Sequence, residues 1–88
     1  MTIHEVRFTA RAERDLDKLP EKIASACVAF IFGPLAQEPY RLGKPLVGEF
    51  AGTYSARRGP YRVLYEIDDD EIVVEVLHID HRAHVYRR

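Results

Sequence analysis

The sequence TYSARRGPYRVLY, residues 53–65, carries the clearest structural signal in this chain. Apolar and polar residues alternate on both sides of Gly59-Pro60, which is the pattern of a β-hairpin with a short turn. Three arginines surround this turn, namely Arg57, Arg58 and Arg62, and Glu66 is the nearest acid that could neutralise them. Guanidinium groups bind phosphate through paired hydrogen bonds, so this end of the hairpin is predicted to bind a polyanion such as a nucleic-acid backbone.

Length and composition predict one small globular domain over residues 1–88, with 47% hydrophobic and 31% charged residues. Such a composition is typical of a folded chain that can bury a single modest core. Cys27 is the only cysteine, so no disulfide can form within the chain. No apolar run reaches the roughly 20 residues of a membrane span, and residues 1–5 lack a signal-peptide pattern. We therefore expect a cytoplasmic protein without membrane contact.

The charges are segregated along the chain although the net charge is only −1. Residues 41–65 contain five Lys or Arg and one acid, whereas residues 66–75 contain six acids and no base. Residues 76–88 are basic again, with three arginines against one aspartate. Local patches therefore matter more than the total charge, which argues against a general nucleic-acid coat protein.

Two helices are predicted before the hairpin. Thr9 suits the N-cap of a first helix, and Pro20 separates it from a second one. The second helix is expected to reach about residue 32 and to end or kink at Gly33-Pro34. Apolar residues recur at helical spacing in both, at Ala12, Leu16 and Leu19 in the first and at Ile23, Cys27, Ile31 and Leu35 in the second.

Strands are predicted at residues 3–8, 54–58, 61–67 and 72–79, and residues 37–52 are expected to form an irregular crossing. In the strand 61–67 one face carries Tyr61, Val63, Tyr65 and Ile67, and the other carries Arg62, Leu64 and Glu66. The predicted fold class is α+β with the order β-α-α-β-β-β, in which a helix hairpin packs on a mainly antiparallel sheet.

This topology predicts that the C-terminal residues meet the basic turn. The strand 61–67 spans roughly 20 Å, so the strand after it returns to the arginines and leaves the acidic turn at the far end. The tail that starts at His81 is then expected to share one concavity with Arg62. Arginine, imidazole and phenol groups gathered there could cleave RNA without a metal, with a base on the ribose 2′-hydroxyl, a cation on the phosphorane and an acid on the leaving 5′-oxygen.

Other patterns have a simpler structural interpretation. His78, His81 and His84 are spaced at i, i+3 and i+6, which does not place them on one face of a helix or a strand, so no metal and no cofactor are expected. His78 is expected on the face of Ile72, Val74 and Val76, as a partly buried, hydrogen-bonded residue. Three tyrosines are expected to pack in the sheet or the core, namely Tyr54, Tyr61 and Tyr65.

These residues resemble the RelE branch of the RelE/ParE superfamily of bacterial toxins over essentially the whole chain. The resemblance rests on the early strand and helix hairpin and on two signatures, YRVLYEI at residues 61–67 and HRxxVYR at residues 81–87. It also includes Lys44-Pro45-Leu46 and Gly52-Thr53-Tyr54. The resemblance implies a RelE-like fold and a type II toxin that enters the ribosomal A site and cleaves mRNA.

The resemblance also implies roles for individual residues. Arg62 matches the arginine that stabilises the phosphate, Arg82 the second active-site arginine, and Tyr86 the tyrosine that stacks on or orients the target nucleotide. Arg57 lies near a position where some members use a lysine as the base, and arginine is a poor base because its pKa exceeds about 12. His81 is therefore the first candidate for proton transfer and His84 the second. The residues expected to bind RNA or phosphate are Lys44, Arg57, Arg58, His84 and Arg87.

The partners that the resemblance implies are the ribosome with its mRNA and a cognate antitoxin that neutralises the toxin. Operator DNA is expected only through the antitoxin. Two other functions stay open: a ParE-like inhibitor of DNA gyrase that cuts no nucleic acid itself, and a weakly catalytic toxin that acts mainly as an antitoxin-bound co-repressor.

Overall fold

The computed structural model describes residues 3–81, which form a five-stranded sheet covered by helices on one face. The strands are β1 (Glu5–Phe8), β2 (Lys44–Pro45), β3 (Tyr54–Arg58), β4 (Tyr61–Asp68) and β5 (Val73–His81). The helices are α1 (Ala10–Asp17), α2 (Glu21–Phe30) and the short α3 (Pro39–Leu42). The strand order is β1-β5-β4-β3-β2, with β1 parallel to β5 and the other pairs antiparallel. The predicted α+β class and mainly antiparallel sheet are confirmed.

The first helix begins where the sequence predicts. The Thr9 hydroxyl accepts a hydrogen bond from the Ala12 backbone N–H at 3.1 Å, which satisfies one of the unpaired donors of the first turn. The same hydroxyl donates to the Leu77 carbonyl at 2.9 Å. Thr9 therefore caps α1 and also fixes the start of this helix against β5.

The second helix does not stop at Gly33-Pro34. After Phe30 the backbone widens into a π-helical turn, Ile31–Leu35, which contains Pro34. Proline has no backbone N–H and its ring clashes with the carbonyl one turn earlier, so a widened turn lets helical conformation continue past it. The turn keeps Ile31 and Leu35 fully buried in the core. Of the two outcomes expected at Gly33-Pro34, an end or a kink, the helix does not end there but changes pitch locally.

The basic hairpin has the predicted strands and a two-residue turn. Arg58 pairs with Tyr61, so only Gly59 and Pro60 lie between β3 and β4. Gly59 has φ 58°, a left-handed value that glycine adopts without the steric cost of a Cβ. Tyr61, Val63 and Tyr65 are buried, Ile67 is half-buried, and Arg62 is exposed. The predicted two-faced character of this strand is confirmed.

Two elements within residues 37–52 were not predicted from the sequence, α3 and β2. The Tyr65 hydroxyl of β4 donates to the Pro39 carbonyl of α3 at 2.6 Å, and β2 pairs with β3 at the edge of the sheet. A Cβ at Gly43 would lie 2.0 Å from the same hydroxyl oxygen. The crossing segment can therefore approach the buried tyrosine only because position 43 has no side chain.

A β-bulge in β5 changes which residues enter the core. Leu64 pairs with His78 and Tyr65 pairs with Val76, so Leu77 is an extra residue on β5. The prediction that His78 shares a face with Val74 and Val76 is wrong, because the extra residue reverses the alternation and places Ile79 in the core, only 3% exposed. The prediction that His78 is partly buried and hydrogen-bonded is confirmed.

The acidic turn lies at the opposite end of β4 from the basic turn. The Asp68 carboxylate accepts hydrogen bonds from the backbone N–H groups of Asp70 and Glu71. Ile72, the last residue of the turn, has φ 57°, which is unfavourable for a β-branched residue.

Within residues 3–81 no helix is both long and apolar enough to cross a membrane.

Candidate nucleic-acid interface

Three cations lie together on the open face, which we define as the side of the sheet opposite the helices. Arg57 pairs with Arg62 across β3 and β4, and Lys44 pairs with Ser55, two residues before Arg57 on the same face. All three cationic side chains belong to exposed residues. Like charges placed directly opposite each other are unfavourable for folding, so this arrangement favours binding of an anion between them.

Arg58 does not join this group. It pairs with Tyr61 and therefore lies on the helix-covered face, where its guanidinium carbon is 4.9 Å from the centre of the Phe30 ring. This cation–π contact borders a cleft of about 470 Å³ whose apolar lining includes Ala26, Ala29 and Phe30. The structure thus separates Arg57 and Arg58, which were both predicted to bind RNA or phosphate, because neighbouring strand residues point to opposite faces.

An aspartate that the sequence analysis left unassigned lies beside Arg62. Asp80 is its cross-strand partner on β5, and the Asp80 carboxylate oxygen lies 2.7 Å from Nε2 of His78. On the other side of the ring, Nδ1 of His78 lies 2.6 Å from the Asp15 carboxylate. The imidazole therefore connects a carboxylate of α1 with a carboxylate of the open face.

Asp15 is held by more than the histidine. Its carboxylate also accepts a hydrogen bond from the Ile79 backbone N–H at 3.1 Å. Burial alone would raise the pKa of Asp15, but the bond from Ile79 and the contacts with His78 and Arg11 outweigh it, so this pKa is lowered from 3.8. Asp15 is therefore ionised near neutral pH and is available to orient His78.

His81 pairs with Tyr61, and this register places it on the helix-covered face. It lines a small cleft of about 140 Å³ beside Asp15, Lys18 and Leu19. The structure therefore differs from the expected concavity, because His81 and Arg62 lie at the same end of the sheet but on opposite faces. A substrate would contact both only by reaching around that end.

The remaining predicted site residues lie outside residues 3–81. They are Arg82, His84, Tyr86 and Arg87. The histidine spacing from which no metal site was expected ends at His84, which also lies outside the described residues. Among the residues that the structure describes, no group of three His, Cys, Asp or Glu side chains could hold a metal ion.

The tyrosines of the sheet pack as the sequence analysis expects. Tyr54 stacks on Tyr65 with ring centres 5.8 Å apart, and the Tyr61 hydroxyl donates to the Ala26 carbonyl of α2. Burial raises the pKa of both Tyr61 and Tyr65. The phenols of Tyr61 and Tyr65 are therefore held inside the fold by packing and hydrogen bonds.

Comparison with known proteins gives a consistent family. A family profile described as "ParE toxin of type II toxin-antitoxin system, parDE" matches residues 6–86. Toxin RelG of Mycobacterium tuberculosis strain H37Rv is 59% identical over 85 residues, which cover 97% of this chain and 98% of that protein. Toxin RelE of the same strain is 57% identical over 84 residues, covering 96% and 87%.

Solved structures agree with these matches. In the crystal structure of the toxin–antitoxin complex RelBE2 from Mycobacterium tuberculosis, a chain 57% identical in sequence superposes with a TM-score of 0.90, covering 92% of this chain and 100% of that one. The isolated RelE toxin of E. coli has the same fold, with a TM-score of 0.72 at 19% identity over 89% of this chain and 83% of that one. The chain therefore belongs to the RelE/ParE superfamily of toxins of type II toxin–antitoxin systems.

Proposed function

We propose that this toxin is a metal-independent, ribosome-dependent endoribonuclease that cleaves mRNA in the ribosomal A site and so inhibits translation and growth. The observation that carries the proposal is the pairing of Arg57 with Arg62 on the exposed face, with Lys44 beside them. A toxin that needed no polyanion would gain nothing from like charges held directly opposite each other. The relatives named RelE and RelG favour the same branch of the superfamily.

The reaction uses the ribose of the substrate as its nucleophile. A base removes the proton of the 2′-hydroxyl, the 2′-oxygen attacks phosphorus, and the bond from phosphorus to the 5′-oxygen breaks as an acid protonates that oxygen. The products are a 2′,3′-cyclic phosphate and a 5′-hydroxyl. Negative charge develops on the phosphorane oxygens, so a preorganised cation accelerates this step without a metal.

Arg62 is the residue we assign to the phosphorane, because it is exposed on the open face and belongs to the rigid strand β4. Arg57 and Lys44 are assigned to neighbouring phosphates, and the resemblance makes Arg82 the second active-site arginine. Tyr86 is assigned to the target nucleotide. Arg87 and His84 are assigned to RNA or phosphate binding.

We assign proton transfer to His81, which is the last residue of β5 and lies at the end of the sheet. Its position on the helix-covered side requires the RNA to bend around the end of β4 and β5. His78 is a poor alternative, because carboxylates lie within hydrogen-bond distance of both of its ring nitrogens. His81→Gln is expected to slow cleavage by about 10²–10⁴-fold; a normal rate in this variant with loss of activity in Tyr86→Phe would assign proton transfer to the phenol.

An antitoxin is the proposed protein partner, since the matching chain from Mycobacterium tuberculosis comes from a toxin–antitoxin complex. We propose that the antitoxin neutralises this toxin in the cytoplasm and that operator DNA is bound through the antitoxin. One observation favours a second function: the matching family profile is named for ParE. Inhibition of DNA gyrase is therefore the alternative to be tested.

Induced expression followed by mapping of mRNA 5′ ends separates the two functions. The proposal predicts breaks within codons of translated messages, and these breaks should disappear in the Arg62→Ala variant. Arg14→Ala is the matched control, because it removes an exposed arginine from α1, away from the open face. Growth inhibition with intact messages and with gyrase-dependent DNA breaks would instead identify a gyrase inhibitor.

A further inference from the structure

The cross-strand partner of Arg62 is an acid, yet that acid makes its contact elsewhere. Opposite charges in directly paired positions of antiparallel strands normally attract each other. Among residues 3–81, however, the Asp80 carboxylate lies 2.7 Å from Nε2 of His78 and forms no ion pair with Arg62. Position 80 would neutralise the arginine assigned to the phosphate if its carboxylate turned across the strand pair.

The geometry around His78 explains why the carboxylate turns away. Carboxylate oxygens lie 2.6 Å from Nδ1 and 2.7 Å from Nε2 of the ring, so each ring nitrogen is within hydrogen-bond distance of a carboxylate. Arg11 also approaches Nε2, at 3.3 Å, and places a positive charge beside the carboxylates.

The ring is anchored on the side away from the open face. The Asp15 carboxylate accepts a hydrogen bond from the Ile79 backbone N–H, which fixes the carboxylate to β5 independently of its contact with His78. The side chain of His78 is only 19% exposed, which limits its rotation. The bulge at Leu77 places the ring where it reaches both carboxylates, since it pairs His78 with Leu64 of the open face.

We propose that His78, anchored by Asp15, is a positioning residue that binds the Asp80 carboxylate and thereby keeps the Arg62 guanidinium available for a phosphate. The inference rests on the phosphate-binding role proposed for Arg62. It assigns a role to three residues outside the cationic group: Asp15 orients the ring, His78 binds the acid, and Asp80 is the acid to be kept away. Without the histidine, Asp80 becomes a competitor of the phosphate.

A double-mutant cycle on the full-length protein tests this role. The measured quantity is the affinity for a short single-stranded RNA with 2′-O-methyl groups, which cannot be cleaved through a 2′-hydroxyl. His78→Leu is expected to weaken binding by about three- to fivefold, the effect of an exposed ion pair worth up to about 1 kcal/mol. Asp80→Asn should restore this loss in the His78→Leu background but change the affinity of the wild type by less than about twofold.

Glu66→Gln is the matched control, because it removes one negative charge from the same face at a position farther along β4. If only the total charge mattered, Glu66→Gln would restore the affinity of His78→Leu as well as Asp80→Asn does. Equal effects of Asp80→Asn in both backgrounds, or unchanged affinity in His78→Leu, would overturn the inference. If His78→Leu does not fold, Asp15→Asn replaces it, because this change weakens the contacts that orient His78. Asp80→Asn should then restore the RNA affinity lost in Asp15→Asn, and equal effects of Asp80→Asn in both backgrounds would again overturn the inference.

Arg62→Ala separates this inference from the proposed function. If Arg62→Ala loses RNA affinity but Asp80→Asn does not restore the affinity of His78→Leu, the positioning role of His78 is overturned and the phosphate role of Arg62 stands. RNA affinity unchanged in Arg62→Ala would remove the phosphate role and overturn the inference with it. A successful cycle in a protein that cleaves no mRNA would sustain the positioning role and contradict the nuclease.

Discussion

Arg57 and Arg58 are adjacent in sequence, but they should behave differently when each is changed to glutamine. Both changes remove one positive charge from the same turn of the hairpin. Arg57 lies on the open face opposite Arg62, whereas Arg58 lies over the Phe30 ring on the helix-covered face. Because both variants lose the same charge, any difference in RNA binding between Arg57→Gln and Arg58→Gln reports which face of the sheet contacts the RNA.

The expected magnitudes follow from these contacts. Each phosphate contact with a single strand contributes about −0.7 to the slope of log affinity against log salt concentration, so Arg57→Gln should make that slope shallower by about 0.7. Arg57→Gln also removes a like-charge pair and should not lower stability. Arg58→Gln should leave the slope unchanged and lower the free energy of unfolding by about 0.5–1 kcal/mol through loss of the cation–π contact.

The assay is RNA binding by fluorescence anisotropy over a series of salt concentrations, with thermal unfolding measured on the same samples. A loss of about 0.5–1 kcal/mol corresponds to a melting temperature lower by roughly 2–8 °C in a domain of this size. Equal changes of the salt slope in both variants would refute the assignment of Arg57 and Arg58 to different faces. A larger change in Arg58→Gln would place the RNA on the helix-covered side.

Three further predictions concern stability. Gly43→Ala should lower the free energy of unfolding by about 1–3 kcal/mol in chemical denaturation, because the new Cβ overlaps the Tyr65 hydroxyl. Adding Tyr65→Phe to the Gly43→Ala protein should recover part of this loss. Equal stability of Gly43→Ala and wild type would contradict the close approach. Ile72→Asn should raise the melting temperature, since it relieves about 1–2 kcal/mol of left-handed strain at an exposed position; a lower melting temperature would count against that strain. The folded state lowers the pKa of Asp15, so this carboxylate stabilises the fold above its ordinary value of 3.8 and the contribution disappears as pH falls through the lowered value. Unfolding measured across acid pH should show a shallower pH dependence in Asp15→Asn, and an identical dependence would mean that Asp15 is not held as described.

Much of the fold can be predicted from the sequence because local signals and tertiary contacts agree. Thr9 caps the first helix, Pro20 separates the two long helices, and the alternation of β4 matches its burial. The crossing segment was predicted only as irregular, since α3 and β2 have four and two residues and are too short for a periodic pattern. Their position depends on the approach of Gly43 to Tyr65, which is a tertiary contact.

The sequence pattern predicts the face of Arg62 on β4 but not the faces of Arg58 and His78. The bulge at Leu77 inserts one residue into β5 and reverses the alternation of buried and exposed side chains after it. No residue type in β5 predicts this bulge. The separation of Arg57 from Arg58 could have been predicted, because a two-residue turn at Gly59-Pro60 fixes the pairing of both. The contact of Asp80 with His78 depends on the bulge and was therefore beyond the sequence pattern.

Arg62 is proposed to stabilise the phosphorane during cleavage of ribosome-bound mRNA. This role is tested by the single-turnover rate of cleavage on purified ribosomes with a defined codon in the A site, for wild type, Arg62→Ala and the control Arg14→Ala. We expect a 2′,3′-cyclic phosphate end within that codon, a rate lower by about 10²–10³-fold in Arg62→Ala, and a rate near wild type in the control. An intact message with the wild-type toxin, or cleavage by Arg62→Ala at the wild-type rate, would contradict this role.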